Sequence, residues 1–272
     1  MKRRCLALMA VVLLVAAGQA HAGLTTNLVG YWTFDGDGRD SSGRGYDLTL
    51  SSGVVFGEGL FGQGLSLPRD TSKYAARQSD DPIYDFGSGD FTVQVWVNFR
   101  SLDGEQVLIE KFSGSGGPGW TLAMVNGSWA FRAWHFYALP SAWLASPTQA
   151  IETGVWHQVA IRRQGSQFDL FDLFYDGIIV AQASNPNPVP DTDMPLLIGK
   201  RNQYDSRGFP VDGRIDETAI WTRALSDAEV AYLYNGGVGN PIVPEPATLI
   251  VWSLLGASGI AVGWSRRRKR AG

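Results

Sequence analysis

Phe91, Val93, Val95, Val97 and Phe99 share one face of a nine-residue stretch, and Thr92, Gln94, Trp96 and Asn98 share the other. That period of two belongs to a β-strand with one face buried, and a strand of this kind must find a second layer to cover its apolar side. Comparable short segments recur between Gly, Asp and Ser residues: Leu28 to Phe34, Glu105 to Lys111, Trp120 to Val125, Ser128 to Phe136, Val155 to Arg163, Leu170 to Tyr175, Ile178 to Ala181 and Leu196 to Gly199. Many short strands with frequent turn signals predict an all-β chain, a two-sheet antiparallel jelly-roll sandwich. Asp176-Gly177 predicts a tight hairpin, since a two-residue primed turn needs the positive φ that Gly adopts without strain. One short helix is expected near the end of the domain, where Ser226 and Glu229 have capping-box spacing ahead of Val230, Leu233 and Tyr234. It is expected to plug a sheet face or edge.

The two ends read differently. Residues 1–22 carry Lys2, Arg3 and Arg4, an apolar run from Leu6 to Ala17, and the small-residue pattern Ala20-His21-Ala22, the signature of a secretory signal peptide. Ala247 to Trp264 is a run of 18 uncharged residues followed by Arg266, Arg267, Arg268, Lys269 and Arg270. At ~1.5 Å per residue it spans roughly 27 Å, enough for a thin hydrocarbon core, with its cations left on the cytoplasmic side. The expected organisation is a signal peptide over 1–22, a domain over 23–235, a linker over 236–243 and a membrane-directed tail over 244–270 with its span at 247–264. Without the cations of both ends and Glu245, 15 of 23 cations and 25 of 26 anions remain, a formal charge near −10. An acidic body with no basic run excludes a nucleic-acid partner, which needs clustered Lys and Arg. Cys5 lies in the signal peptide, so the exported body holds neither a disulfide nor a cysteine metal site.

Val29-Gly30-Tyr31-Trp32-Thr33-Phe34-Asp35, Asp40-Ser41-Ser42-Gly43, Gly62-Gln63-Gly64-Leu65-Ser66-Leu67 and Phe91 to Val97 come in an order that resembles a laminin-G-like, concanavalin A-like lectin/glucanase domain. Trp156-His157-Gln158-Val159-Ala160, Tyr175-Asp176-Gly177, Ile198-Gly199, Gly213-Arg214-Ile215-Asp216-Glu217 and Thr222 to Ser226 continue the likeness over about residues 28–235. The resemblance implies a jelly roll of two antiparallel sheets, a scaffold that serves both binding modules and enzymes. It also implies a structural Ca²⁺ held by Asp40 and Asp216, with Asp35 as a further ligand. The turn-rich segment Asp35 to Gly43 offers the hard oxygens that Ca²⁺ takes. The alternative is that these Asp residues only shape turns by bonding nearby backbone. The tail, Val243-Pro244-Glu245-Pro246 with its apolar span and basic end, resembles the bacterial PEP-CTERM sorting signal. That likeness implies an exosortase-type processing enzyme, a transient membrane anchor, and release to the cell surface or exopolysaccharide matrix; the alternative is an unprocessed single-span anchor.

Residues for catalysis are not evident. A retaining glycosidase needs two carboxyls about 5 to 5.5 Å apart, which on a strand means alternate positions. Asp216 and Glu217 are adjacent and should point to opposite faces, and Asp169 and Asp172 diverge likewise. Gly57-Glu58-Gly59-Leu60-Phe61-Gly62 matches a GxGxxG pattern but precedes a strand pattern instead of a helix, so it reads as a loop. His157 reads as a packing residue. The aromatic supply is the remaining clue: Trp129, Phe131, Trp134, Phe136, Tyr137 and Trp143 lie within fifteen residues. In a strand, Trp129 and Phe131 share one face while Arg132, Trp134 and Phe136 share the other, so one group is core. Rings also stack sugars through their apolar faces, which makes Trp134, Tyr137 and Trp143 the candidate ligand contacts, on a loop expected over Tyr137 to Thr148. The expected function is an exported, non-catalytic module that binds extracellular polysaccharide or a surface protein. The alternatives are a divergent glycoside hydrolase of the same fold and a structural matrix protein.

Overall fold

The computed structural model describes residues 23–114, 117–134, 140–165, 167–202 and 207–242; of Trp134 and residues 140–143 it describes the backbone alone. The expected signal peptide and sorting tail lie outside these residues. Among the described residues no helix is long and apolar enough to cross a membrane.

Strands are numbered in chain order. The first sheet runs, in spatial order, β13 (Ile178–Ser184), β12 (Leu170–Tyr175), β11 (Trp156–Gln164), β6 (Phe91–Phe99), β15 (Asp212–Trp221), β4 (Gln63–Pro68) and β3 (Val55–Glu58), and β1 (Leu28–Trp32) also pairs with β15. The second runs β10 (Pro140–Ala145), β9 (Ser128–Trp134), β8 (Gly119–Val125), β7 (Glu105–Phe112), β14 (Leu197–Ile198), β5 (Ala75–Ala76) and β2 (Thr49–Leu50). All these pairings are antiparallel. The result is the jelly-roll sandwich that the alternation predicts.

The core lies between the sheets. Phe91, Val93, Val95, Val97 and Phe99 of β6 meet Leu122, Met124, Trp129 and Phe131 of β8 and β9. Phe91 stacks on Phe86 with ring centroids 4.0 Å apart and meets Phe131 at 6.0 Å, so aromatic contacts tie the layers together. Trp129 and Phe131 are thus the core members of their aromatic cluster.

The other face of β6 departs from the half-buried pattern, since all nine residues are buried. Its polar side lies beneath the segment that carries α1 (Asp227–Tyr234). Thr92 Oγ1 donates to Arg223 O (2.9 Å) and accepts from Leu225 N (3.0 Å), Arg162 Nη1 donates to Leu225 O (2.7 Å), and Trp96 stacks on Tyr234. Burial of the polar outward residues Thr92 and Gln94 is offset by hydrogen bonds, Gln94 Oε1 accepting from Gln158 Nε2 (2.8 Å). The capping box forms as expected, with Ser226 Oγ accepting from Glu229 N and Glu229 reaching back to Ser226 N. The helix and the segment before it therefore cover the outer face of the first sheet over β6 and β11.

The loop expected over Tyr137 to Thr148 is corrected at Pro140–Ala145, which forms edge strand β10. Pro140 is its first residue, where a missing N–H costs no ladder bond.

Candidate functional site

The acidic residues singled out in the sequence gather where β15 changes partners. Along one side of β15, residues 212–215 pair with β4 and residues 218–221 with β1, and its register against β6 shifts between Asp216 and Ala219. Glu217 takes a left-handed φ of 45° at this bulge. Asp216 Oδ2 accepts from Leu60 N (2.7 Å) and Phe61 N (3.3 Å), and Oδ1 accepts from Glu217 N (2.8 Å). Asp35 Oδ1 accepts from Gln63 N (2.7 Å). The two carboxyls thereby clamp the turn between β3 and β4, the same Gly57 to Gly62 segment that reads as a loop. Asp40 is spent on its own loop, accepting from Tyr31 N, Ser42 N, Ser42 Oγ and Tyr46 N at 2.8–3.0 Å.

The structure thus brings Asp35 and Asp216 to one turn and leaves Asp40 organising another. Among the described residues no three His, Cys, Asp or Glu side chains group as a metal ion requires. As placed, this donor set does not fit a Ca²⁺ cage of six to eight oxygens. Burial, followed by the charge of Glu217, pushes the Asp216 carboxyl up to about 9. Tyr31 Oη donates to Glu217 Oε2. Both acids are buried, so neither can reach a substrate.

The outer face of the second sheet has a different character. Trp143, Arg132, Thr121, Glu110, Leu197 and Ala76 form one transverse row through successive ladder pairings. The intervening residues Phe131, Leu122, Ile109, Ile198 and Ala75 belong to the core, which sets Arg132, Thr121, Glu110, Leu197 and Ala76 on the opposite face. Over it lies a loop closed by Val211 N to Gly199 O (2.9 Å) and Arg201 N to Gly208 O (2.7 Å). Arg201 donates from Nη2 to Glu105 Oε1 (2.8 Å) and from Nε to Glu110 Oε2 (3.4 Å), while Arg132 Nη1 also holds Glu105 (2.7 Å). Asn202 N donates to Glu110 Oε1 (2.7 Å). Burial pushes the Glu110 carboxyl up to about 7 against the pull of Arg201.

Two clefts flank this network. One, of about 190 Å³, has Ala76, Leu197 and Pro195 as apolar lining and Tyr74, Arg77 and Lys200 as polar lining. The other, of about 480 Å³, is bordered by Arg69, Glu105, Arg207 and Phe209. Trp143 pairs with Arg132, and Trp134 stands two residues from Arg132 on β9 and pairs with Pro140. The sequence-predicted Tyr137 lies outside the described residues.

Sequence reasoning missed Glu105 and Glu110. They are five apart, a spacing that puts regular-strand residues on opposite faces, but a register shift between Val107 and Ile109 returns both to Arg201. Tyr74, Arg77 and Lys200 converge only through tertiary pairing, and no local pattern marks them. His157, expected to serve packing, is buried on β11 within a polar network: Nε2 accepts from Glu152 N (3.2 Å) and Nδ1 faces Asp176 Oδ2 (2.9 Å) in the turn between β12 and β13.

A jelly roll of two antiparallel sheets, with a helix over part of one outer face and charged clefts on the other, is a sandwich of the lectin and glucanase type. The chain belongs to the concanavalin A-like lectin/glucanases superfamily, whose laminin G model matches residues 70–231. A comparison with curated proteins finds no match. Among solved structures, the binding domain of Paraclostridial Mosquitocidal Protein 1 is similar, with a TM-score of 0.64 at 18% identity over 78% of this chain and 53% of that one. Domain 4 of AbnA, a GH43 extracellular arabinanase from Geobacillus stearothermophilus solved with arabinotriose, gives 0.58 at 19% identity over 75% of this chain and 97% of that one. The binding domain of Botulinum Neurotoxin DC, solved with SialylT, gives 0.60 at 10% identity over 78% and 52%. The chain thus spans about half the length of the toxin domains it matches. At these identities the likeness is one of fold.

Proposed function

We propose that this chain is an exported, non-catalytic carbohydrate-binding jelly-roll module, sorted by its tail to the cell surface or exopolysaccharide matrix. The observation that carries this reading is the pair of clefts on the outer face of the second sheet, the sheet on which α1 does not pack. Polar groups beside apolar floors suit sugars, which present hydroxyls at their edges and C–H bonds on their faces. The AbnA domain with arabinotriose and the neurotoxin domain with SialylT are relatives in fold that were solved with such ligands. A surface glycoprotein reached through its glycans suits the same face.

The hydrolase reading has one observation in its favour, the Glu105 and Glu110 carboxyls on one face with Glu110 raised to about 7. It is the weaker reading because Arg201 bridges both and Glu110 is wholly buried, with Asn202 N on its second oxygen. A general acid must reach the leaving oxygen.

The test is retention of the full chain, in mild detergent, on a panel of immobilised polysaccharides, with reducing ends assayed in parallel. Selective retention without release of reducing ends is expected, and Trp143→Ala is expected to weaken retention several-fold while leaving the melting temperature unchanged. Retention unaffected by Trp143→Ala would remove the β9–β10 edge from the binding surface. Release of reducing ends that Glu110→Gln abolishes would favour the hydrolase.

A further inference from the structure

The exported body is acidic, yet among the described residues the smaller cleft is lined by two cations, Arg77 and Lys200, and by no carboxylate. Their situations differ. Arg77 is neutralised by Asp81 (Nε to Oδ2, 2.6 Å) and packs over the Tyr46 ring at 5.4 Å. Lys200 is half-buried, with its ammonium 4.2 Å from the Tyr74 ring centroid and no carboxylate within ion-pair distance among the described residues. The acids that act on it electrostatically are Glu110 and Asp70. Both are committed elsewhere: Glu110 to Arg201 and Asn202 N, and Asp70 to Ser72, whose N and Oγ each lie 2.8 Å from it. A partly desolvated ammonium held only by an aromatic face is poised for an anion, since such a charge gains most when paired.

Size narrows the partner. The cleft is smaller than the ~300–1,000 Å³ of pockets for drug-sized ligands, so it suits one sugar unit of a chain. Ala76, Leu197 and Pro195 give that unit an apolar floor beside the cation. We propose that this cleft holds a negatively charged sugar unit of an acidic polysaccharide, with Lys200 pairing to its anionic group. The inference rests on the carbohydrate-binding reading and names its ligand class. The shared chemistry is an anion on a sugar ring, either a uronate carboxylate or a sulfate ester.

The experiment is affinity electrophoresis of the full chain in mild detergent through gels containing polygalacturonate, dextran sulfate, fully methyl-esterified pectin or dextran. Retardation by polygalacturonate or dextran sulfate but not by the two neutral polymers is expected, and which of the two acts identifies the anion. Lys200→Met should lower that affinity at least tenfold with its melting temperature unchanged, Lys200→Arg should retain it, and Arg214→Gln on the first sheet should not affect it. If Lys200→Met melts early, loss in that variant alone counts for nothing and the outcome of Lys200→Arg and of Arg77→Gln decides: retention in the first with weakening in the second supports the proposal. Equal losses in Lys200→Met and Arg214→Gln would mean diffuse attraction and overturn it. Equal retardation by charged and neutral polymers would overturn the acidic class and leave carbohydrate binding standing. No retardation by any polymer would overturn both.

Discussion

Asp216 shows how a single side chain serves different ends in sequence and structure. In the sequence it resembles a metal ligand; in the fold it is a buried carboxyl that receives three backbone N–H groups and faces Glu217. Burial wins over those donors, and its pKa rises to about 9 from the usual 3.8. A carboxyl raised in the folded state favours folding most where it is protonated in both states, below about pH 4, and that contribution is lost as pH rises toward 9. Glu110, raised to about 7, acts in the same sense over the lower part of that window. The melting temperature of the wild type is therefore expected to fall between pH 5 and pH 9. Asp216→Asn, which cannot ionise yet keeps an acceptor for the N–H groups, should flatten the upper part of the profile. An unchanged slope in the variant would contradict this account of the site.

At the scale of elements, the turn between β3 and β4 is held by acids from outside it, Asp35 and Asp216. Gly62 sits at its crest with φ of 48°, and a Cβ there would collide with the Asp35 carboxylate. Gly62→Ala is expected to cost of order 1–3 kcal/mol through that strain, measured as a shift in urea unfolding, whereas Gly45→Ala, with open space around it, should cost less. Equal losses at both positions would show that the clamp is not what makes Gly62 special. The elements were legible where the pattern was local. Phe91–Phe99, Leu170–Tyr175, the Asp176-Gly177 turn and the Ser226 to Glu229 cap all stand where alternation, turn chemistry and capping place them. Short strands such as β2, β5 and β14 are two residues long and exist only through their partners. The Val107 to Ile109 register shift is likewise set by strand pairing, which is why the Glu105 and Glu110 juxtaposition was hidden.

For the molecule as a whole, the two outer faces have opposite fates. The first sheet's outer face carries buried polar residues held in part by α1 and the segment before it, such as Arg162, which donates to Leu225 O and Asp227 there and to Asp172 on the neighbouring strand β12. On the second sheet's outer face, Arg201 and Asn202 of the loop closed by Gly199 and Val211 bind Glu105 and Glu110, and a cleft lies on either side. The sandwich itself follows from the period-two pattern; the asymmetry between its faces depends on contacts distant in the chain, and the sequence hinted at it only through the aromatic cluster around Trp143. The central claim, that recognition happens on that open face, is tested most directly by hydrogen exchange of the full chain with and without a polysaccharide that retains it. Slowed exchange in β7 to β10, β14 and the loop after Gly199, with α1 and the Asp35 to Gly62 region unchanged, is the expected result. Protection centred on α1 or on the turn held by Asp35 and Asp216, with the second sheet unchanged, would contradict it.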